Sequence, residues 1–508
     1  MHEIITLQLG QRANYLATHF WNTQESYFTY SSDEESYVDH DIHFRPGLGV
    51  DGSETYTPRT VIYDLKGGFG SLRKLNALYE LQEEGTPEGP WNGPTVVQRQ
   101  APIPQSAYQQ SLEDGVAPAR LAADSVRYWS DFNRVYYHPR SIIQLNEYEL
   151  NSSLMPFERW TVGEELFNDL DKEHDILDRD LRPFVEEADQ MQGIQLMSSL
   201  DDAWGGFTAR YMDRIRDEYG KTTVWIWGLE DGTKNIPREK QFLRLSNTAR
   251  STVEISPQAS LYLPITVPPI TLPPYVTIDR RSPWHTSALI STASESMTLA
   301  SRLKTRNGLR NSLDEIAGSL NVNGNQNIAK LQMSIDLQGE PLQSKGGHPA
   351  IADESKDPRA PSQDGRSIVV KPATEDDVSL DMDFFPSDEP IAGPGRHPMK
   401  STHVFGQTKA LRGTNEPAVE DEDDFDGRER AKRRAAGLPI IHNSSPDKVA
   451  VQTSLTSDSA VASRLKNIRN IVNRAIGIEE REALGNSLGE IAEAYEEGWD
   501  SGSDDDDD

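Results

Sequence analysis

The opening of the chain limits the fold more than any other stretch. From Glu3 to Leu9 the apolar residues Ile4, Ile5, Leu7 and Leu9 form a short run of the kind found in buried strands. Gly10-Gln11 supplies a turn, and Ala13, Leu16, Ala17, Phe20 and Trp21 then recur at helical spacing. Strand, glycine turn and helix in that order begin an α/β unit, in which helices cover both faces of each strand. The pattern repeats. Thr60 to Leu65 reads as a second strand that stops at Gly67-Gly68, with Leu72, Leu75, Leu78 and Leu81 as a helix behind it. Ser141 to Leu145, Ile194 to Leu200, Thr222 to Leu229 and Ser260 to Val267 read as further strands. Ile176 to Met191, Phe207 to Tyr219, Phe242 to Ile255 and Ser287 to Leu303 read as helices, with Pro183 either kinking the first or marking its true start. Ala119 to Tyr137 has helical character too, opened by Pro118. The expected class is α/β, on a mostly parallel sheet.

The pattern lapses in places. Ser31 to Thr57 and Glu83 to Pro104 read as polar loops, and Pro264 to Pro274 as a break between subdomains. The folded signal fades after Asp336. Gln338 to Lys400, rich in Pro, Gly, Ser and Asp, reads as a disordered insertion. An acidic block, Glu420 to Asp426, precedes the basic block Arg428 to Arg434, and the two read as solvated, mutually neutralising charge. Order returns in two helical stripes. One is Leu465, Ile468, Val472 and Ile476, with Asp458 or Ser459 as cap and Gly477 as stop; the other is Leu484, Leu488, Ile491 and Tyr495. Composition agrees with this mixture: 36% of residues are hydrophobic, below the globular average. The expected organisation is a segment 1–115, a segment 116–305, a second α+β part from 306–337 and 401–498, the insertion 338–400, and an acidic tail 499–508.

Several chemistries are excluded or disfavoured. A formal net charge of −30 opposes broad contact with nucleic-acid phosphates and favours basic protein partners. Without cysteine there is no thiolate nucleophile, disulfide or Cys-based zinc site. The 11 histidines show no metal-ligand spacing, and no GxSxG elbow is present. No apolar run is long enough to span a bilayer. The early Glu3 is unlike an Arg-rich, acid-poor transit peptide. The aromatic cluster Tyr128 to Tyr137 has only Arg127, Arg134 and Arg140 near it, so a buried core or protein interface is expected there rather than a stacking surface for bases. Leu465 to Ile476, with Arg464, Lys466, Arg469 and Arg474, is the candidate for peripheral membrane contact, weighed against a packed surface helix.

Four ordered passages carry a resemblance. Met1 to Asn14, Tyr56 to Leu65, Gln192 to Leu200 and Ile215 to Tyr219 resemble, in turn, the first strand and helix start of tubulins, their second strand, the strand that delivers their glycine-rich loop, and the end of the helix after it. Within that superfamily Asp41 to Arg45, Trp129 to Phe132, Tyr137 to Ser141 and the ending Tyr495 to Asp508 are similar to the Misato-like group, and so is the segment Glu83 to Asp175, for which tubulins offer no counterpart. The resemblance implies a tubulin-like fold and a role in partitioning of mitochondria and inheritance of mitochondrial DNA. It also implies a place at the cytosolic face of the mitochondrial outer membrane and in the cytoplasm. Protein partners of cytoskeletal or chaperonin type are expected.

The resemblance places a nucleotide site at Gln11 and Arg12, with Asn14, Gly205 and Gly206 as its other surviving elements. GTP is the ligand such a site would take. Where the superfamily has Gly-Gly-Gly-Thr-Gly-Ser-Gly, this chain has Asp201-Asp202-Ala203-Trp204-Gly205-Gly206-Phe207. Phosphate loops need glycines because the backbone must come close to the ligand in unusual conformations. Two carboxylates would repel a triphosphate, and Trp204 adds bulk. Asp201 or Asp202 would either hold Mg²⁺ or, more simply, cap the following helix. Gln11 would either contact nucleotide or bond backbone beneath the loop. The base-reading asparagine is missing from Leu263 to Pro269, and Leu320 to Asn325 carries no catalytic acid. The expectation is a chain without metal or catalytic residues and without cofactor, with weak GTP binding left open and an active, filament-forming tubulin-like GTPase as the alternative.

Overall fold

The computed structural model describes residues 3–29, 36–48, 54–72, 103–232, 236–267, 272–304, 311–336, 380–386, 402–412, 450–474 and 481–496. Strand β1 (Glu3–Leu9) leads into α1 (Gln11–Glu25), a hairpin of β2 (Phe44–Leu48) and β3 (Glu54–Pro58), and then β4 (Thr60–Lys66). Helix α2 (Ala107–Glu113), β5 (Ile142–Glu149), α3 (Trp160–His174) and α4 (Arg182–Glu186) follow. Next come β6 (Met191–Ser199), α5 (Ala203–Glu218), β7 (Thr223–Glu230), α6 (Arg238–Ile255) and β8 (Leu261–Thr266). These six principal strands form one parallel sheet in the order β5-β4-β1-β6-β7-β8. Its register sets Leu7 beside Leu196 and Leu9 beside Tyr63. Successive side chains point to opposite faces, and both faces are dry along the inner strands. In β7, Val224 and Ile226 join one hydrophobic cluster, while Trp225 and Trp227 join the other. That is why these strands read as continuous apolar runs.

The chain then forms α7 (Pro283–Thr298), α8 (Leu313–Leu320) and a second, antiparallel sheet. Its strands β9 (Lys330–Asp336), β10 (Met382–Asp383), β11 (Val404–Arg412) and β12 (Ala450–Asp458) lie in the order β10-β9-β12-β11. Helices α9 (Ala460–Arg474) and α10 (Arg481–Glu493) close the described chain. Helix α7 packs against α1 on one side and the second sheet on the other. It is buried nearly all round, and its hydroxyls bond back to the preceding turn, as Thr292 does to the Ala288 carbonyl.

Several expectations are corrected. Ala119 to Tyr137 is not a helix; it holds only the tight turns Ala123–Ser125 and Trp129–Phe132. Buried Asp131 accepts the backbone N–H groups of Arg127 and Tyr128, so a side chain takes bonds that a helix would need. Trp129, Phe132 and Tyr137 nevertheless lie in the core. The polar loop Ser31 to Thr57 contains the β2–β3 hairpin, disguised by Pro46 and Gly47. Ile176 to Met191 is shorter than its spacing suggests: a π-type turn at Leu177–Leu181 precedes α4, Pro183 stands near the start of that helix, and Met191 already begins β6. Helix α3 was hidden because Gly163 occupies one of its buried positions. Within the expected disordered insertion, 380–386 joins the second sheet and buries Leu380, Met382, Phe384 and Phe385. The rest of that insertion, Leu75 to Leu81, both charge blocks, Gly477 and the acidic tail lie outside the described residues. In α9, Leu465, Ile468 and Val472 are buried, and Asp458 accepts the Ala460 N–H at the start of the helix. Its apolar stripe therefore faces the body of the protein. No helix among the described residues is long and apolar enough to cross a membrane.

Candidate functional site

The chain enters β1 near the middle of the sheet, then builds outward on one side through β4 and β5 and on the other through β6, β7 and β8. Ligand sites in such sheets lie beyond the carboxyl ends of the strands at this switch point. Gly10 follows β1 there, Asp64 lies near the end of β4, Asp201 and Asp202 follow β6, and Asp231 follows β7.

Three of these acids converge on Arg12. Its Nη1 lies 2.7 Å from Asp201 Oδ1 and 3.4 Å from Asp231 Oδ1, and its Nη2 lies 2.8 Å from Asp202 Oδ2. Arg244 pairs with Asp231 from α6 at 3.2 Å. Burial of Arg12 favours its neutral form, but the carboxylates of Asp201, Asp231 and Asp202 outweigh it and raise the pKa, so the guanidinium stays charged. Burial raises the Asp201 pKa, with Arg12 opposing. Asp202 is the N-cap of α5: its Oδ1 accepts the Trp204 N–H at 2.9 Å, and its Oδ2 accepts from Ser199 Oγ at 2.6 Å. Asp201 Oδ2 accepts the Asp231 N–H at 2.9 Å. The carboxylates thus serve Arg12 and the backbone. No group of three or more acids and histidines is arranged to hold a metal among the described residues.

Trp204 lies over Gly10. A Cβ on Gly10 would fall 2.4 Å from the indole Nε1, and Gly10 has φ of 85°, so only glycine fits beneath the ring. Phe157 packs edge-on against Trp204, with ring centroids 5.2 Å apart. The remaining cavity is about 210 Å³, lined by Gln11, Arg12, Asp64, Phe157, Asp202 and Trp204 among others. That is below the roughly 300–1,000 Å³ usual for small-molecule sites.

The residues expected at a nucleotide site have other work. Gln11 Nε2 donates to Asp64 Oδ2 and, at 2.7 Å, to the Gly68 carbonyl in the turn after β4. Asn14 Nδ2 donates to the same carboxylate at 2.7 Å, and Trp129 Nε1 and the Leu65 N–H also point at it. Burial pushes the Asp64 pKa up to about 7, against the pull of these donors. Gly205 and Gly206 were expected in the phosphate loop, but the structure places them within the first turn of α5, at helix contacts. A Cβ on Gly206 would lie 2.0 Å from the Trp160 carbonyl of α3, and one on Gly205 would lie 2.2 Å from Ser251 Oγ of α6. Gln11 and Arg12 reach the cavity, with Asn14 just beneath. Asp64, Asp231, Arg244 and Phe157 were not singled out, and only Asp64 had a signal, its position in the second tubulin-like passage. Leu263 to Thr266 lie within β8, and Asn321 Oδ1 accepts the Gln326 N–H across the turn after α8. A triphosphate set against α5 would meet the Trp204 ring and a cluster of three carboxylates and two guanidiniums, formally −1. The residues present do not fit that group.

The parallel sheet, the switch-point crevice and the helix behind it define a tubulin-like protein. A profile described as the Misato Segment II tubulin-like domain matches residues 2–114, and one described as a tubulin domain matches residues 118–303. The second begins inside the stretch Glu83 to Asp175, for which no tubulin counterpart was expected. Among curated relatives, protein dml-1 of Neurospora crassa is 51% identical and protein dml1 of Aspergillus niger 50% identical, each over the full length of both chains. Protein DML1 of Yarrowia lipolytica is 28% identical over the same extent. The chain belongs to the Misato-like family.

Proposed function

We propose that this is a non-catalytic tubulin-like protein that serves partitioning of mitochondria and inheritance of mitochondrial DNA. It acts through protein partners, cytoskeletal or chaperonin in kind, at the cytosolic face of the mitochondrial outer membrane and in the cytoplasm. The observation that carries the non-catalytic part is the Trp204 ring over Gly10 beside the Arg12–Asp201–Asp202–Asp231 cluster. The mitochondrial part rests on the resemblance of Asp41 to Arg45, Trp129 to Phe132 and the chain ending to the Misato-like group. Guanine nucleotide content of the purified, unaltered chain tests the first part; a stoichiometric amount would sink it. Depletion in the parent cell tests the second. Loss of mitochondrial DNA and uneven mitochondrial partitioning are expected, and normal inheritance after full depletion would remove the reading.

A further inference from the structure

Strand β5 forms one edge of the parallel sheet. It pairs only with β4, so among the described residues its other side has no strand partner. Such a free edge presents backbone N–H and C=O groups to any extended chain. The register passes from Leu65 opposite Leu145 to Lys66 opposite Glu149, a bulge that leaves Asn146 and Glu147 exposed. Glu147 and Glu149 are both exposed, and neither has a basic partner among the described residues.

Directly after β5 the chain forms a fixed loop. The Leu150 N–H donates to the Lys66 carbonyl at 3.0 Å, the Ser152 N–H to the Glu149 carbonyl at 3.2 Å, and the Met155 N–H to Ser152 Oγ at 3.2 Å. Phe157 anchors the far end between Tyr148 and Trp204. At the tip Leu154 is 92% exposed and Met155 55% exposed. Acidic residues alone would be an ordinary guard for a free edge. A guard does not account for two adjacent apolar side chains held in water directly after that strand by three hydrogen bonds.

We infer that β5 and the loop Leu150 to Phe157 form a docking surface for an extended basic segment of a partner protein. The segment adds as a strand along β5. Its Lys or Arg side chains pair with Glu147 and Glu149, and an apolar residue rests on Leu154 and Met155. Strand addition gives affinity through the main chain and selectivity through alternate side chains. The net charge of −30 adds long-range attraction for such a partner.

The test uses the full chain and a synthetic peptide alternating Lys and Val and ending in Leu, followed by fluorescence anisotropy and by amide hydrogen exchange. Saturable binding with slowed exchange in 142–149 is expected. The double variants Glu147→Lys/Glu149→Lys and Leu154→Ser/Met155→Ser should each weaken binding by about tenfold, since cross-strand ion pairs and buried apolar contacts both contribute. Glu482→Lys/Glu490→Lys, the same charge change on exposed positions of α10, should not. Equal loss in that control, unchanged exchange in 142–149, or equal binding of a peptide with Glu in place of Lys would overturn the inference.

Discussion

Replacing Arg12 by Met separates a structural ion cluster from a phosphate site. In the native chain one guanidinium lies within 3.4 Å of three carboxylates, and its side chain is 20% exposed. Removing one partner of a largely buried pair leaves uncompensated charge and costs about 3–5 kcal/mol. The partial exposure of Arg12 argues for the low end, about 3 kcal/mol. Three acids would then face one another with Arg244 alone. Urea unfolding followed by tryptophan fluorescence reads the loss. Asp201→Asn added to Arg12→Met should restore part of it, because the second change removes the charge that the first left stranded. The pH dependence has a definite sign. The folded-state pKa of Asp201 is already raised, and losing Arg12 raises it further. A raised carboxyl pKa means stability present in acid and lost as pH climbs through that pKa. The Arg12→Met deficit should therefore shrink as the solution is acidified. A deficit below about 1 kcal/mol, typical of an exposed pair, or additive losses in the double variant, would refute the reasoning. A vacant phosphate-binding arginine would give that smaller loss.

Three other expectations follow from the same geometry. Gly206→Ala drives a methyl to 2.0 Å from the Trp160 carbonyl, so it should destabilise by about 3 kcal/mol or more in thermal unfolding, whereas Gly67→Ala has no neighbour within 4 Å and should show only backbone strain. Glu295→Gln removes the carboxylate shared by Arg302, Arg412 and the Tyr27 hydroxyl, tying α7 to the turn after α1 and to β11; a loss of about 3–5 kcal/mol in urea unfolding is expected, and one below about 1 kcal/mol would contradict a buried ion pair. Asp64 has a folded pKa near 7, so its contribution favours the fold in acid and fades as pH rises from about 4 through 7; stability profiles of Asp64→Asn should be flatter over that window, and an unchanged profile would assign the slope elsewhere.

The inner strands of the parallel sheet were legible because they are buried on both faces and therefore read as plain apolar runs. Thr223–Glu230 is the clearest case. The second sheet was less legible. Strand β12, AVQTSLTSD, buries Ser454, Thr456 and Ser457 along with its apolar residues, and its partner β9 lies far away in sequence. A strand built from hydroxyls and completed by residues on either side of a long polar segment carries little local periodicity. At the site, Asp201, Asp202 and Trp204 announced the altered loop by standing where glycines belong. Arg12 gave no such signal, since its three partners come from the ends of two strands and meet only after the sheet is assembled. Gly205 and Gly206 misled for a physical reason: glycine suits a phosphate loop and a close helix crossing equally well, because both need a missing Cβ.

The site therefore keeps the frame of a nucleotide crevice while changing what fills it. The N-terminus of α5 still faces negative charge, as the positive end of a helix favours. Here Asp202 supplies that charge through a bond to the Trp204 N–H. Gln11 and Asn14 still converge at the end of β4, but on the Asp64 carboxylate. In a ligand-dependent fold these donors and this helix end would be satisfied only when ligand is bound, and stability would rise with its concentration. In this chain the compensating groups are covalently attached and already paired. The same Trp204 that covers Gly10 packs against Phe157, which ends the loop that carries Leu154 and Met155 into solvent.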